Sequence, residues 1–146
     1  MTNPPSILVI DDEPNNFDVI QALLSHENYI FHYASSGQRA IDRLDRFQPD
    51  AILLDVMMPD LDGIEVCRQI RTLPEWQSIP ILMVTALTDK AQLEKCLLAG
   101  AEDFISKPVN RLELIARVTL ILRLKQQFDL LKLTQEKLEL ATKIEF

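Results

Sequence analysis

An apolar run, Ala51 to Leu54, ends in Asp55, and the residues after it, "VMMPDLDG", favour turns over strand. A carboxylate at the end of a buried segment costs free energy unless something beyond the segment uses it. The same ending recurs along the chain. "ILVI" (7–10) runs into Asp11 and Asp12, "IPILMVTA" carries Thr85, and "DFI" (103–105) leads to Lys107. Three carboxylates brought together repel one another and raise each other's pKa unless a cation joins them. With no His or Cys alongside, the donor set is all oxygen. That disfavours zinc and suits Mg²⁺, which takes one or two carboxylates, waters and a phosphate. A carboxylate held beside Mg²⁺ can act as a nucleophile toward a phosphoryl group, and the Lys107 ammonium and Thr85 hydroxyl would neutralise charge on the phosphoryl oxygens. On this reading Asp55 points out of its strand because it is the group that reacts.

Positioning these residues is a matter of alternating elements. The first apolar run is followed by "NNFDVIQALLSH", with Phe17, Ile20, Leu23 and Leu24 at helical spacing. "YIFHYA" (29–34) is a second strand, and Ser36 is placed to cap one helix over "GQRAIDRLDRF". "AILLD" is strand three. Asp62 is placed to cap "GIEVCRQIRTL", which Pro74 closes, and "DKAQLEKCLLAG" is a fourth helix ending at Gly100. A fifth helix starts near Asn110. Strands separated by helices at this regularity imply βαβ crossovers and five βα units around a parallel sheet covered on both faces. In such open sheets ligands sit beyond the carboxyl ends of the strands. Asp11, Asp12, Asp55, Thr85 and Lys107 all fall there.

Each residue taken singly has a plain structural reading. Asp11 and Asp12 could cap the first helix, Asp55 could be a turn residue, Thr85 could finish a strand, and Lys107 could be a solvated loop charge. Their coincidence at one edge of four strands favours a shared site.

Composition narrows the field. The chain has 146 residues, enough for one domain with a proper core, with 47% hydrophobic and 25% charged residues. A formal net charge of −7 and a pI of 4.8 argue against a nucleic-acid surface. The start, "MTNPPSILVI", lacks the basic region of a secretory signal, and no apolar stretch reaches the length of a membrane span. Cys67 and Cys96 have no CxxC spacing and are expected to be buried thiols in a reducing cytoplasm.

Residues 5 to about 122 resemble the receiver domain of bacterial two-component response regulators. The match rests on "ILVIDDE", "ILLDVMMPDLDGIEVCRQIR", "PILMVTA" and "GAEDFISKP", which agree in order, spacing and residue type. The resemblance implies a (βα)5 flavodoxin-like, doubly wound parallel sheet with strand order 2-1-3-4-5. It implies Asp55 as phosphoacceptor, receiving phosphate from a histidine kinase or phosphotransfer protein. Asp12 would ligate Mg²⁺ directly, Asp11 through water, and Met57 through its backbone carbonyl. Lys107 would pair with the phosphoryl group, and the Lys107–Pro108 bond would be cis. Thr85 would swing toward the phosphoryl oxygens, followed by Phe104 as an aromatic switch; the plain alternative for Phe104 is a core aromatic of strand five. Pro59, Asp62 and Gly63 would shape the loop after the acceptor. The resemblance also makes Met57 and Leu87 tuning positions, where apolar side chains cannot orient an attacking water, so self-dephosphorylation is expected to be slow.

From Asn110 to about Lys143 there is neither Gly nor Pro. Leu124, Leu131 and Leu138 recur every seven residues, interleaved with Ile121 and Phe128 and interrupted by Gln135. The expected division is a receiver at 1–122 and a helical extension at 123–146. That extension would pair as a coiled coil, helped by the fourth and fifth helices, or lead to an output module; a lone helix folded back on the domain is the alternative. The reading as a whole is a cytoplasmic phosphorylation-controlled switch, not an enzyme beyond its own phosphorylation and dephosphorylation. It stands against a receiver within a hybrid kinase or multidomain regulator, a phosphohydrolase, and a phosphate-independent interaction module.

Overall fold

The computed structural model describes residues 3–86 and 89–144. Five strands, β1 (Ser6–Ile10), β2 (Ile30–Ala34), β3 (Ala51–Leu54), β4 (Ile81–Thr85) and β5 (Asp103–Ser106), form one parallel sheet in the order β2-β1-β3-β4-β5. Between them run α1 (Pro14–Leu23), α2 (Gly37–Asp42), α3 (Leu44–Phe47), α4 (Gly63–Thr72) and α5 (Lys90–Leu98), and α6 (Arg111–Ile144) follows β5. The fold is the expected α/β arrangement.

Strands β1, β3 and β4 are buried along their whole length, so they read as continuous apolar runs. Their side chains alternate between two cores. Leu8, Ile10, Ile52, Leu54, Ile81 and Met83 pack with residues of α2, α4 and α5, including Ala40, Val66, Ile70 and Cys96. Ile7, Val9, Leu53, Leu82 and Val84 pack with Ile20 of α1 and with Leu114, Val118 and Ile121 of α6. Both thiols are free and buried, as composition suggested.

The start signals read from sequence operate as helix caps. Ser36 accepts the Arg39 N–H at 3.2 Å and Asp62 that of Glu65 at 2.9 Å. Asn110, expected only near the start of the last helix, also caps it, accepting the Glu113 N–H at 3.0 Å. Gly100 ends the α5 turn at φ 111°. One expectation is corrected: "GQRAIDRLDRF" is not one helix. It breaks at Arg43 (φ −116°, ψ 9°), and Gln48 closes α3 in the left-handed region. The break keeps Ala40 and Leu44 in the core while Phe47 stacks on His32 at 4.8 Å. That packing is tertiary, and no local signal announces it.

Helix α6 is continuous over 34 residues, roughly 50 Å. Leu122 is its last buried residue, and residues 129–144 are all exposed. Lys125 pairs with Asp50, just before β3, at 3.9 Å, which places this part of α6 at the amino-terminal edge of the sheet. Phe128, Leu131 and Gln135 there line a groove of about 680 Å³ against the 74–79 loop.

Candidate functional site: an acidic cluster at the carboxyl edge of the sheet

The register of the strands brings the charged residues together. Ile10 pairs with Leu54, so Asp11 and Asp55, the next residue of each chain segment, leave β1 and β3 side by side. Asp11, Asp12 and Asp55 each offer a carboxylate oxygen within 4.8 Å of the others. Asp11 and Asp55 are buried, at 2% and 6% exposure, whereas Asp12 is exposed. Lys107 reaches in after β5, its Nζ 3.3 Å from Asp11 Oδ2 and 3.6 Å from Asp55 Oδ2.

Burial is the largest influence pushing the Asp55 pKa above its ordinary value. Lys107 and the Met57 N–H, 3.4 Å from Oδ1, pull it down, while Asp11 and Asp12 push it further up. Three carboxylates against one ammonium leave an excess of negative charge that Lys107 alone does not cancel. The donors are all oxygen, and their spacing and chemistry suit a hard divalent cation such as Mg²⁺.

The loop after β3 is held tightly. Gly63 donates its N–H to Val56 O at 2.9 Å, and a Cβ on Gly63 would stand 2.2 Å from the Asp55 carbonyl oxygen. The need for glycine here is close approach of helix start to strand end, not a special backbone angle. Asp60 takes positive φ (67°) within the turn. Met57 is 61% exposed beside the cluster, and Met58 packs into the core.

Thr85 is fully buried at the end of β4, and its carbonyl accepts the Lys107 N–H at 2.9 Å. Met83 pairs with Phe104 and Thr85 with Ser106, so Phe104 lies diagonally across from Thr85 on the same sheet face. Phe104 is partly buried against the core of that face. The Lys107–Pro108 peptide is cis. Leu87 lies outside the described residues.

Sequence reasoning missed two residues around Asp11. Asn16 donates from Nδ2 to both Asp11 carboxylate oxygens, at 3.2 and 3.1 Å, and the Tyr33 hydroxyl donates to the Asp11 carbonyl at 2.7 Å. Tyr33 also stacks on Phe17 at 4.9 Å. An asparagine in the first turn after an acid pair was the available signal for the first; nothing local marked the second.

A five-stranded parallel sheet with acids and a lysine at its carboxyl edge defines an open α/β fold with a polar site beyond the strand ends, and comparison with known proteins makes the assignment specific. The family model for the response regulator receiver domain matches residues 7–119, and the chain belongs to that family. It is 40% identical over 126 residues to the response regulator PleD of Caulobacter vibrioides, covering 86% of this chain and 28% of PleD. It is 42% identical over 126 residues to the transcriptional regulatory protein ResD of Bacillus subtilis, covering 86% of this chain and 51% of ResD. The chain thus spans about a quarter to a half of these relatives. Among solved structures, the signal receiver domain of a signal transduction histidine kinase from Syntrophus aciditrophicus superimposes with a TM-score of 0.75. That pair shares 31% identity over 82% of this chain and 90% of the other.

Proposed function

We propose that this receiver is a phosphorylation-controlled switch that takes a phosphoryl group on Asp55, from the phosphohistidine of a histidine kinase or phosphotransfer protein. The observation that carries the reading is the convergence of Asp11, Asp12 and Asp55 within 4.8 Å, with Lys107 bridging Asp11 and Asp55. In the step itself an Asp55 carboxylate oxygen attacks phosphorus, the O–P bond forms and the P–N bond to the donor imidazole breaks. The imidazole leaves with the electron pair and takes up a proton. Asp11, Asp12, Asp55 and the Met57 carbonyl would hold Mg²⁺, whose bound charge offsets that of the phosphoryl oxygens. Lys107 moves from its carboxylate partners to a phosphoryl oxygen, and the Thr85 hydroxyl turns toward another. Phe104, on the same face as Thr85, then repacks and changes the surface that α5, β5 and α6 offer to partners.

Met57, exposed and apolar, offers no group to orient a hydrolytic water, which supports slow self-dephosphorylation. It also counts against a phosphohydrolase, since no acid stands two residues after Asp55 to donate a proton. The complete set of Asp11, Asp12, Asp55, Thr85 and Lys107 counts against a phosphate-independent module. The similarity to a receiver within a histidine kinase keeps a multidomain parent in view.

We divide the chain into the receiver, 1–122, and a helical extension, 123–146. A second copy is the proposed partner of the extension, through the seam of Leu124, Phe128, Leu131 and Leu138. Exposed Leu97, Leu98 and Leu120 on α5 and α6 would continue that interface. The phosphoryl reading is tested with acetyl phosphate on a phosphate-affinity gel. A shifted band with Mg²⁺ that vanishes with chelator supports it, and a chain that never shifts at any Mg²⁺ concentration contradicts it.

A further inference from the structure

We infer that Asn16 is a positioning residue for the cation site, acting through Asp11; this rests on the magnesium-dependent reading of the acidic cluster. Asn16 lies in the first turn of α1, with its own N–H given to Glu13 O at 3.0 Å. Helical side chains lean toward the amino terminus, which lets its amide reach back over the helix start. There Nδ2 meets Asp11 Oδ1 at 3.2 Å and Oδ2 at 3.1 Å, with Glu13 Oε2 at 3.4 Å.

Asp11 therefore has three sources of donors. The Glu13 N–H is 2.9 Å from Oδ1 and the Lys107 ammonium 3.3 Å from Oδ2, with Asn16 across both oxygens. Only one of the three is charged. When Lys107 turns to a phosphoryl oxygen, Asn16 is the side chain that remains on Asp11. A neutral donor is suited to staying there, because it fixes the plane of the carboxylate without cancelling the charge a cation or its water needs. A lysine or arginine in its place would compete with the cation.

The test is calorimetric titration of the full chain with Mg²⁺ alone, alongside melting of the metal-free protein, for wild type, Asp12→Asn, Asn16→Ala and Asn16→Leu. Asn16 is half-exposed, so both replacements are expected to leave the metal-free melting temperature within ~2 °C. Both are expected to weaken Mg²⁺ binding roughly tenfold or more, with Asp12→Asn losing it altogether. Unchanged Mg²⁺ affinity in both Asn16 variants, while Asp12→Asn loses binding, overturns the role of Asn16 and leaves the magnesium reading standing. A wild type that takes up no Mg²⁺ overturns both.

Discussion

Asp55 does not hold its place alone. Its backbone is clamped from behind by Gly63, whose missing side chain lets the start of α4 lie against the Asp55 carbonyl. A methyl group at Gly63 has no room there, and the opposing atoms are backbone that cannot rotate away. Gly63→Ala is expected to cost about 1–3 kcal/mol, read as a lowered denaturation midpoint, and to slow phosphorylation because Asp55 moves with its carbonyl. Equal stability and rate in the variant would show that the loop relaxes freely. At this scale, Asp11, Asp12, Asp55, Thr85 and Lys107 were legible because each is a polar residue ending an apolar run, and parallel strands must deliver such ends to one edge. Asn16 and Tyr33 were missed. Asn16, five residues after Asp11, carried a local signal in its place in the first helical turn after the acid pair, whereas the contact of Tyr33 depends on how β2 sits against β1, which no local pattern encodes.

The elements are fixed by periodicity, caps and a few polar ties at the edge of the sheet away from the acids. Arg71 of α4 gives hydrogen bonds to Gly100 O at 2.5 and 3.0 Å and to Ile79 O at 2.6 Å, and pairs with Glu102 at 3.0 Å. Glu102 in turn accepts the Ile81 N–H at 2.6 Å, tying α4 to the starts of β4 and β5. Burial is the main influence on Glu102 and raises its pKa above the ordinary value, against the pull of the Ile81 N–H and Arg71. A raised folded-state pKa means that the ionised form is the costlier one in the fold. Stability is therefore regained as pH falls from neutral through the folded pKa, where Glu102 takes up its proton. Compared with Glu102→Gln, which cannot titrate, the wild type should gain melting temperature as pH falls from neutral toward the ordinary carboxylate range. A difference that stays flat over that range would contradict this. Caps at Ser36 and Asp62 were readable from sequence because capping is local. The break at Arg43 was not, because it answers to the packing of Leu44 and Phe47.

For the molecule as a whole, the acidic cluster and the far end of α6 lie at opposite edges of the sheet, so the extension can pair without covering the site. Its exposed leucines, among them Leu130, Leu131 and Leu138 at 65%, 67% and 68%, are a large apolar surface for a lone helix. Leu131→Glu with Leu138→Glu is expected to shift the chain toward monomer by light scattering without lowering phosphorylation. An unchanged mass would remove the seam as the interface. The heptad was legible in sequence, but Leu130, Leu133 and Leu140 lie off it, and periodicity alone did not say which stripe faces the 74–79 loop. The proposed function turns on one event, the arrival of a phosphoryl group on Asp55. Intact-mass measurement after acetyl phosphate and Mg²⁺, on wild type and Asp55→Asn, tests it most directly. One added phosphoryl group on the wild type and none on the variant is the predicted result; equal labelling of both, or of neither, would contradict it.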